Sequence, residues 1–335
     1  MKTMVYSEKG PSSVITAVNA EPDSPAAADV QVKVTVSGVN PTDWKARAGG
    51  AALAAPQVPN QDGAGIVTAI GTGVSGLSIG DRVWVWDAAW QRPGGTAQEV
   101  LTIPRAQVVP LTSSFDVGAS LGIPALTAHR ALTANEHWPA RLEPGALSGA
   151  VVLVTGGAGA VGHAAIQLAV WAGATVITTV SGEAKGALAR AAGAHHVVNY
   201  RSEDVARVIR GIAPDGVDTI VDVNVVANIA TNLEVIATGG TIAAYATDSD
   251  EPLSLPVGLA MRKNVRLQSI LTYTVDDAAK TAAVEAVSAA EAAGALPVGE
   301  EHGLPLLRFP LDSTGAAHDA VERGFVGKVL VDVAE

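Results

Sequence analysis

The segment Val154-Thr155-Gly156-Gly157-Ala158-Gly159-Ala160-Val161-Gly162 is the strongest invitation to a ligand in this sequence. It holds Gly157-x-Gly159-x-x-Gly162, directly after an apolar run at residues 151–154 and at the head of a helical stretch. In that setting Gly157 allows a tight turn, Gly159 lets the backbone approach a pyrophosphate, and Gly162 permits close helix–strand packing. Amides at the helix N-terminus, with the positive end of its dipole, then face the phosphates. Three glycines among 35 carry little by themselves. The strand–turn–helix setting is what points to a dinucleotide; the alternative is an ordinary glycine turn in an α/β domain.

The following strand speaks to which dinucleotide. An NAD site keeps an Asp or Glu at its end, to accept from the ribose hydroxyls. Here the strand closes Thr178-Thr179-Val180-Ser181-Gly182, with no acid. Ser181 can donate a hydrogen bond, Lys185 can place an ammonium over a 2′-phosphate, and Tyr200 can add a phenolic donor. Missing carboxylate and added ammonium both favour NADP over NAD. Otherwise Lys185 is a solvated helix residue.

These groups need a scaffold, and the hydrophobic pattern supplies one. Residues 30–36 alternate with period two, and 63–70 and 82–86 are similar, with Gly, Pro and Asn turns between them. Beyond residue 125 the pattern changes to strand and helix in alternation. Residues 151–154, 175–180, 197–198, 219–223, 241–245 and 265–271 read as strands, with helices at 160–171 and 185–192. That order predicts a parallel sheet with right-handed crossovers. Residues 276–293 form an Ala-rich helix, with Asp276-Asp277 at its N-terminus, and 327–333 a closing strand. The expected architecture is a β-rich domain (1–124 and 274–335) interrupted by a doubly wound α/β cofactor domain (125–273).

At 335 residues, two domains are the default. A net charge of −11 without a basic run argues against nucleic acid, and no apolar stretch can span a bilayer. Cysteine is absent, which removes disulfides, thiol nucleophiles and every Cys-containing zinc site. A cytoplasmic protein is expected.

The chain resembles the zinc-independent medium-chain dehydrogenase/reductases, in the NADPH:quinone oxidoreductase (zeta-crystallin-like) branch. The resemblance rests on Gly38-Val39-Asn40-Pro41-Thr42-Asp43, on Pro59-Asn60-Gln61-Asp62-Gly63-Ala64-Gly65 running to Gly80-Asp81-Arg82-Val83, on Gly94-Gly95-Thr96-Ala97-Gln98-Glu99, on Leu126-Thr127-Ala128 and on the glycine cradle. Gly327-Lys328-Val329 also fits, so nearly the full length is covered. It implies a GroES-like catalytic domain around a Rossmann cofactor domain. Zinc alcohol dehydrogenases of this superfamily carry Cys where Asn40 stands, His-Glu where Gln61-Asp62 stands, and Cys where Ile123 stands. Without those ligands no tetrahedral site polarises an alcohol oxygen, so metal-free catalysis is expected.

Residue by residue, the resemblance implies that Asn40 and Thr127 hold the nicotinamide half, with Asp43 ordering the loop. Gly157, Gly159, Ala160 and Val161 cradle the pyrophosphate, and Ser181, Lys185 and Tyr200 take the adenosine phosphate. Asn224 and Val225 line the adenine and ribose side. Ala244, Tyr245 and Leu271 end strands beside the nicotinamide, and Lys328 lies near the cofactor. Lys45 stands where the family often has Tyr.

Hydride transfer from a nicotinamide asks for alignment and water exclusion, with a donor for the oxygen that gains charge. Asn40, Lys45, Arg47 and Gln61 are candidate donors, and Trp86 a candidate pocket wall; no catalytic acid is singled out. His195 and His196 enter a strand on opposite faces, so no metal is expected there. The expected function is NADPH-dependent reduction of a quinone or related conjugated carbonyl. The alternatives are an enoyl or alkenal reductase of a biosynthetic pathway and a non-catalytic NADPH-binding protein. Residues 265–271 should form a sheet edge, which a homodimer partner would cover.

Overall fold

A computed structural model describes residues 1–334. The chain divides into two units, one built from 1–123 with 305–335 and the other from 124–304. It leaves the first inside the helix Phe115–Leu132, at Pro124.

In the first unit the strand Asp29–Val39 is the spine. Val30, Val32 and Val34 are fully buried while Lys33 is exposed, as period-two patterning requires. It pairs antiparallel with Asp62–Ile70, with Val100–Pro104 and with the closing strand Lys328–Asp332. Arg82–Val85 and Val108–Pro110 extend the sheet on one side and Leu306–Pro310 on the other. Register is what matters for chemistry. Gly38 stands opposite both Asp62 and Leu330, and Val329 opposite Val39, so Asn40, Asp62 and Lys328 meet at one end of the spine. A hairpin of Lys2–Val5 and Thr16–Asn19 docks beside this sheet through Met4 N–H to Ala97 O and a Tyr6–Gln57 backbone pair.

The second unit is a six-stranded, all-parallel sheet. Its spatial order is His196–Asn199, Thr175–Val180, Val151–Thr155, Val217–Asp222, Ile236–Ala244 and Arg266–Ser269. By sequence that is 3-2-1-4-5-6, the dinucleotide-fold order, with its switch point between Val151–Thr155 and Val217–Asp222. The inner strands are buried on both faces, which is why they read as continuous apolar runs. Arg266–Ser269 is an edge strand, and Leu267 on it is 37% exposed.

One boundary departs from expectation. The segment 274–304 packs with the second unit, and the chain returns to the first only at Pro305. The helix Asp277–Ala292 lies on the helix Ala160–Trp171. Beyond it, Gln167 donates to Pro297 O (3.0 Å) and His163 Nε2 to His302 O (2.9 Å). Among the described residues no helix is long and apolar enough to cross a membrane.

Candidate cofactor cradle and buried polar cluster

In the second unit the strand Val151–Thr155 runs into Gly156–Gly159, and the helix Ala160–Trp171 begins at once. The turn itself is taken by Gly156, at φ +70°, and not by Gly157 as expected. Gly157 is required for another reason: a Cβ there would lie 2.1 Å from Thr178 Oγ1, which is anchored to Val154 O. At Gly162 a Cβ would fall 2.4 Å from Gly156 O. Both residues are therefore glycine because strand, turn and helix press together.

Gly159 differs. It is exposed, its φ is −83°, and the nearest atom to a Cβ there would be Gly156 O at 3.6 Å. Nothing within the protein demands a glycine at this position. A bare backbone at a helix N-cap, with the first helical amides of Ala160 and Val161 lacking intrahelical acceptors, fits the close approach of a phosphate. The cradle passes this test.

The second strand ends beside it. Tyr200 N–H donates to Val180 O (3.1 Å), which seats the 52%-exposed Tyr200 next to half-buried Ser181. Lys185, on the helix Glu183–Ala191, is half-buried, and its ammonium has no ion pair or hydrogen bond among the described residues. Glu183 is occupied by Arg190 (3.1 Å). One uncommitted cation therefore stands where an acid would repel a 2′-phosphate.

Across the switch point the structure adds a residue that sequence reasoning missed. Buried Asp222 accepts from Asn224 N–H (2.7 Å) and Asn228 Nδ2 (2.9 Å), and also from Asn232 Nδ2. Thr155 Oγ1 donates to it at 3.2 Å. The signal was present: an Asp closing an apolar strand, then Asn at spacings of four along one helix face. Asn224 caps the helix Val225–Val235, and its amide is taken by Asp248, so its side chain is committed before any adenosine arrives. Half-buried Val225 opens that helix. Ala244 ends its strand as expected, and Tyr245 follows just beyond it, with its N–H bonded to Asp222 O (3.1 Å). Leu271 is 55% exposed, and Thr127 Oγ1 lies 2.6 Å from Thr272 Oγ1.

The first unit gathers Asn40, Asp43, Asp62 and Lys328 into one buried cluster. Asn40 Oδ1 accepts from Lys328 Nζ (2.7 Å), and its Nδ2 donates to Asp62 Oδ2 (2.6 Å). Asp62 also takes the Ile123 N–H (2.9 Å) and lies 3.6 Å from the Lys328 ammonium. That N–H sits just before Pro124, where a proline inside the helix disturbs the preceding turn. Asp43 accepts from the backbone N–H groups of Asn40 (2.7 Å) and Gln61 (3.1 Å); the expected loop is instead the first turn of the helix Pro41–Ala48, with Asn40 at its N-cap. Burial, and then the neighbouring Asp62 charge, push the Asp43 carboxyl well above the usual carboxylate range. Burial likewise raises Asp62 and lowers Lys328, while their mutual attraction opposes both shifts.

The candidate donors separate here. Arg47 is a correction: it is wholly buried, with Nη1 on Gly10 O (2.9 Å) and Nη2 on Glu322 (3.0 Å), and so ties two helices together instead of lining a pocket. Gln61 is buried with Oε1 accepting from Ala89 N–H (2.9 Å). Lys45 is exposed, its ammonium 5.8 Å from the Trp44 ring centre. Trp86 is 8% exposed and Trp84 fully buried, as packing residues. His195 is likewise structural, its Nδ1 accepting from Val176 N–H (3.0 Å).

A 3-2-1-4-5-6 parallel sheet with this cradle, held in a chain that begins and ends in an antiparallel β unit, defines a nucleotide-dependent oxidoreductase. Residues 26–113 match the alcohol dehydrogenase GroES-like domain, and residues 160–297 match the zinc-binding dehydrogenase family. A quinone oxidoreductase of Mus musculus is 30% identical over 319 residues, covering 92% of this chain and 90% of the relative. A 2-haloacrylate reductase of a Burkholderia species is 28% identical over 276 residues, 78% of each. A mycobacterial protein solved in complex with NADPH superposes with a TM-score of 0.80 at 27% identity, covering 99% of both chains. The chain belongs to the medium-chain dehydrogenase/reductase family, in its quinone oxidoreductase, zeta-crystallin-like branch.

A zinc ion does not fit the donor set. Asn40, Gln61 and Ile123 offer no thiolate or imidazole, and Asp62 is engaged by Lys328, Asn40 and Ile123. Among the described residues no group of three or more His, Cys, Asp or Glu could hold a metal.

Proposed function

We propose that this protein is an NADPH-dependent reductase that passes hydride to a quinone or related conjugated carbonyl by a route without zinc. The observation that carries the reading is the end of the second strand, with Ser181, an unpaired Lys185 and no acid beside an open Gly159. When bound, reduced nicotinamide supplies the hydride. The chain's part is to grip the cofactor. Amides of Ala160 and Val161 hold pyrophosphate, and Lys185, Ser181 and Tyr200 hold the 2′-phosphate. Such chemistry needs positioning and exclusion of water more than a dedicated acid, which agrees with the commitment of Arg47, Gln61 and Asn40 elsewhere.

The Burkholderia relative supports a second reading, in which the acceptor is the β-carbon of a conjugated alkene. A homodimer formed by pairing the exposed edge Arg266–Ser269 completes the proposal, and the use of NADPH fits a cytoplasmic setting.

The test is NADPH oxidation against a panel of quinones and enones, with kcat/KM compared for NADPH and NADH. A charge-assisted contact to phosphate is worth about 1.5–3 kcal/mol. Lys185→Ala should therefore raise KM for NADPH about ten- to a hundredfold and spare NADH. Wild type preferring NADH, or equal loss with both cofactors, would sink the phosphate assignment. Cofactor binding without turnover on either panel would leave a binding protein.

A further inference from the structure

Between the N-terminal hairpin and the sheet of the first unit lies a cavity of about 370 Å³. That is within the range of small-molecule sites, about 300–1,000 Å³. None of the groups assigned above to cofactor or polar cluster lines it. Its walls are mixed, with Val5, Val18, Val58 and Leu101 among the apolar residues. They are also preformed, because the hairpin is fixed by Met4 N–H to Ala97 O (3.0 Å) and Glu99 N–H to Lys2 O (3.1 Å).

One polar side chain in this lining has unused capacity. Arg92 is half-buried and spends Nη2 alone, on Asp87 O (3.1 Å) and Ala88 O (2.9 Å). Those two bonds fix the guanidinium in place; the charges of Asp29 and buried Asp87 act on it, but no carboxylate among the described residues lies within ion-pair distance. Glu21 and Asp23 also line the cavity, but both are exposed, so water and salt screen their repulsion of an anion far more than they screen Arg92.

We propose that this cavity is a second small-molecule site, separate from the cofactor cradle, which takes an apolar, one- or two-ring anion. The rings fill the valine-lined interior, and the anionic oxygen accepts from Arg92.

The probe is naphthalene-2-sulfonate, a two-ring aromatic anion, titrated by calorimetry into the full chain with NADPH present in excess. The expected result is saturable binding of one probe per chain that NADPH does not displace. Arg92→Gln should weaken it by about tenfold or more. Val18→Trp, on the exposed face of the hairpin, should fill the cavity and abolish binding. Both variants should keep the wild-type unfolding midpoint and NADPH-dependent turnover. Displacement of the probe by NADPH, lack of saturation, or equal binding in wild type and both variants would each overturn the proposal. Because no variant touches the cradle, failure here leaves the cofactor reading standing, and the reverse also holds.

Discussion

The cradle of the second unit and the polar cluster of the first are both built where a strand meets a helix, yet they end in opposite states. At the cradle the chain presents backbone amides, an exposed Gly159 with room beside it and an unpaired Lys185. At the cluster Asn40, Asp43, Asp62 and Lys328 satisfy one another and the backbone, with no side chain more than 4% exposed. Open donors cost little at a wet surface, whereas in a dry interior an unpaired charge is expensive. The cluster is therefore first a structural lock on the strand-to-helix junction at Asn40. Whatever Asn40 or Lys328 does for a ligand must compete with bonds of 2.6–2.7 Å that they already make.

Breaking the lock should have the largest effect. Lys328→Met leaves Asp62 buried without its cation and should cost about 3–5 kcal/mol, read from urea unfolding at pH 7.5. Adding Asp62→Asn should restore most of the loss. A cost below about 1 kcal/mol would make the cluster incidental.

Acid should attack the wall of the cradle next. His163 lies in the helix that opens there, and burial pushes its imidazole down to about 4. The unfolded chain takes up a proton below pH 6.5 that the native imidazole refuses, so stability falls as pH drops from 6.5 towards 4. At about 1.4 kcal/mol per pH unit, this one residue contributes about 3 kcal/mol to that acid slope. His163→Gln, which keeps a donor for His302 O, should flatten the slope by that amount in unfolding curves collected across the window. An unchanged slope would show that His163 is not neutral in the native protein.

The two glycines separate packing from binding. Gly157→Ala drives a methyl into Thr178 and should destabilise by about 1–3 kcal/mol. Gly159→Ala should stay within about 1 kcal/mol of wild type, as a changed N-cap, yet raise KM for NADPH by about tenfold or more. If both variants lose stability equally, Gly159 is a packing residue like its neighbour. Ser181→Asp should move stability least, by under about 0.5 kcal/mol, while shifting the kcat/KM ratio towards NADH through repulsion of the phosphate.

Much of this molecule is legible in its sequence. The helix Ala160–Trp171 and the strand Thr175–Val180 coincide with the hydrophobic pattern, because each repeats within a few residues. The acid-free end of the second strand was equally plain, and so were the missing zinc ligands, since both depend only on which residue stands at a known place in a local motif. Tertiary structure decided which polar side chains remain available. Asn40 and Lys328 are 288 positions apart, and only the register of Lys328–Asp332 against Asp29–Val39 joins them. Arg47 read as a donor until Gly10 and Glu322 enclosed it. Gly157 read as the turn until Thr178, from the neighbouring strand, showed that its missing Cβ serves packing while Gly156 takes the positive φ. A motif is written in neighbours along the chain, but a hydrogen-bond partner is chosen by neighbours in space, and burial then holds that choice by making an unpaired group too costly.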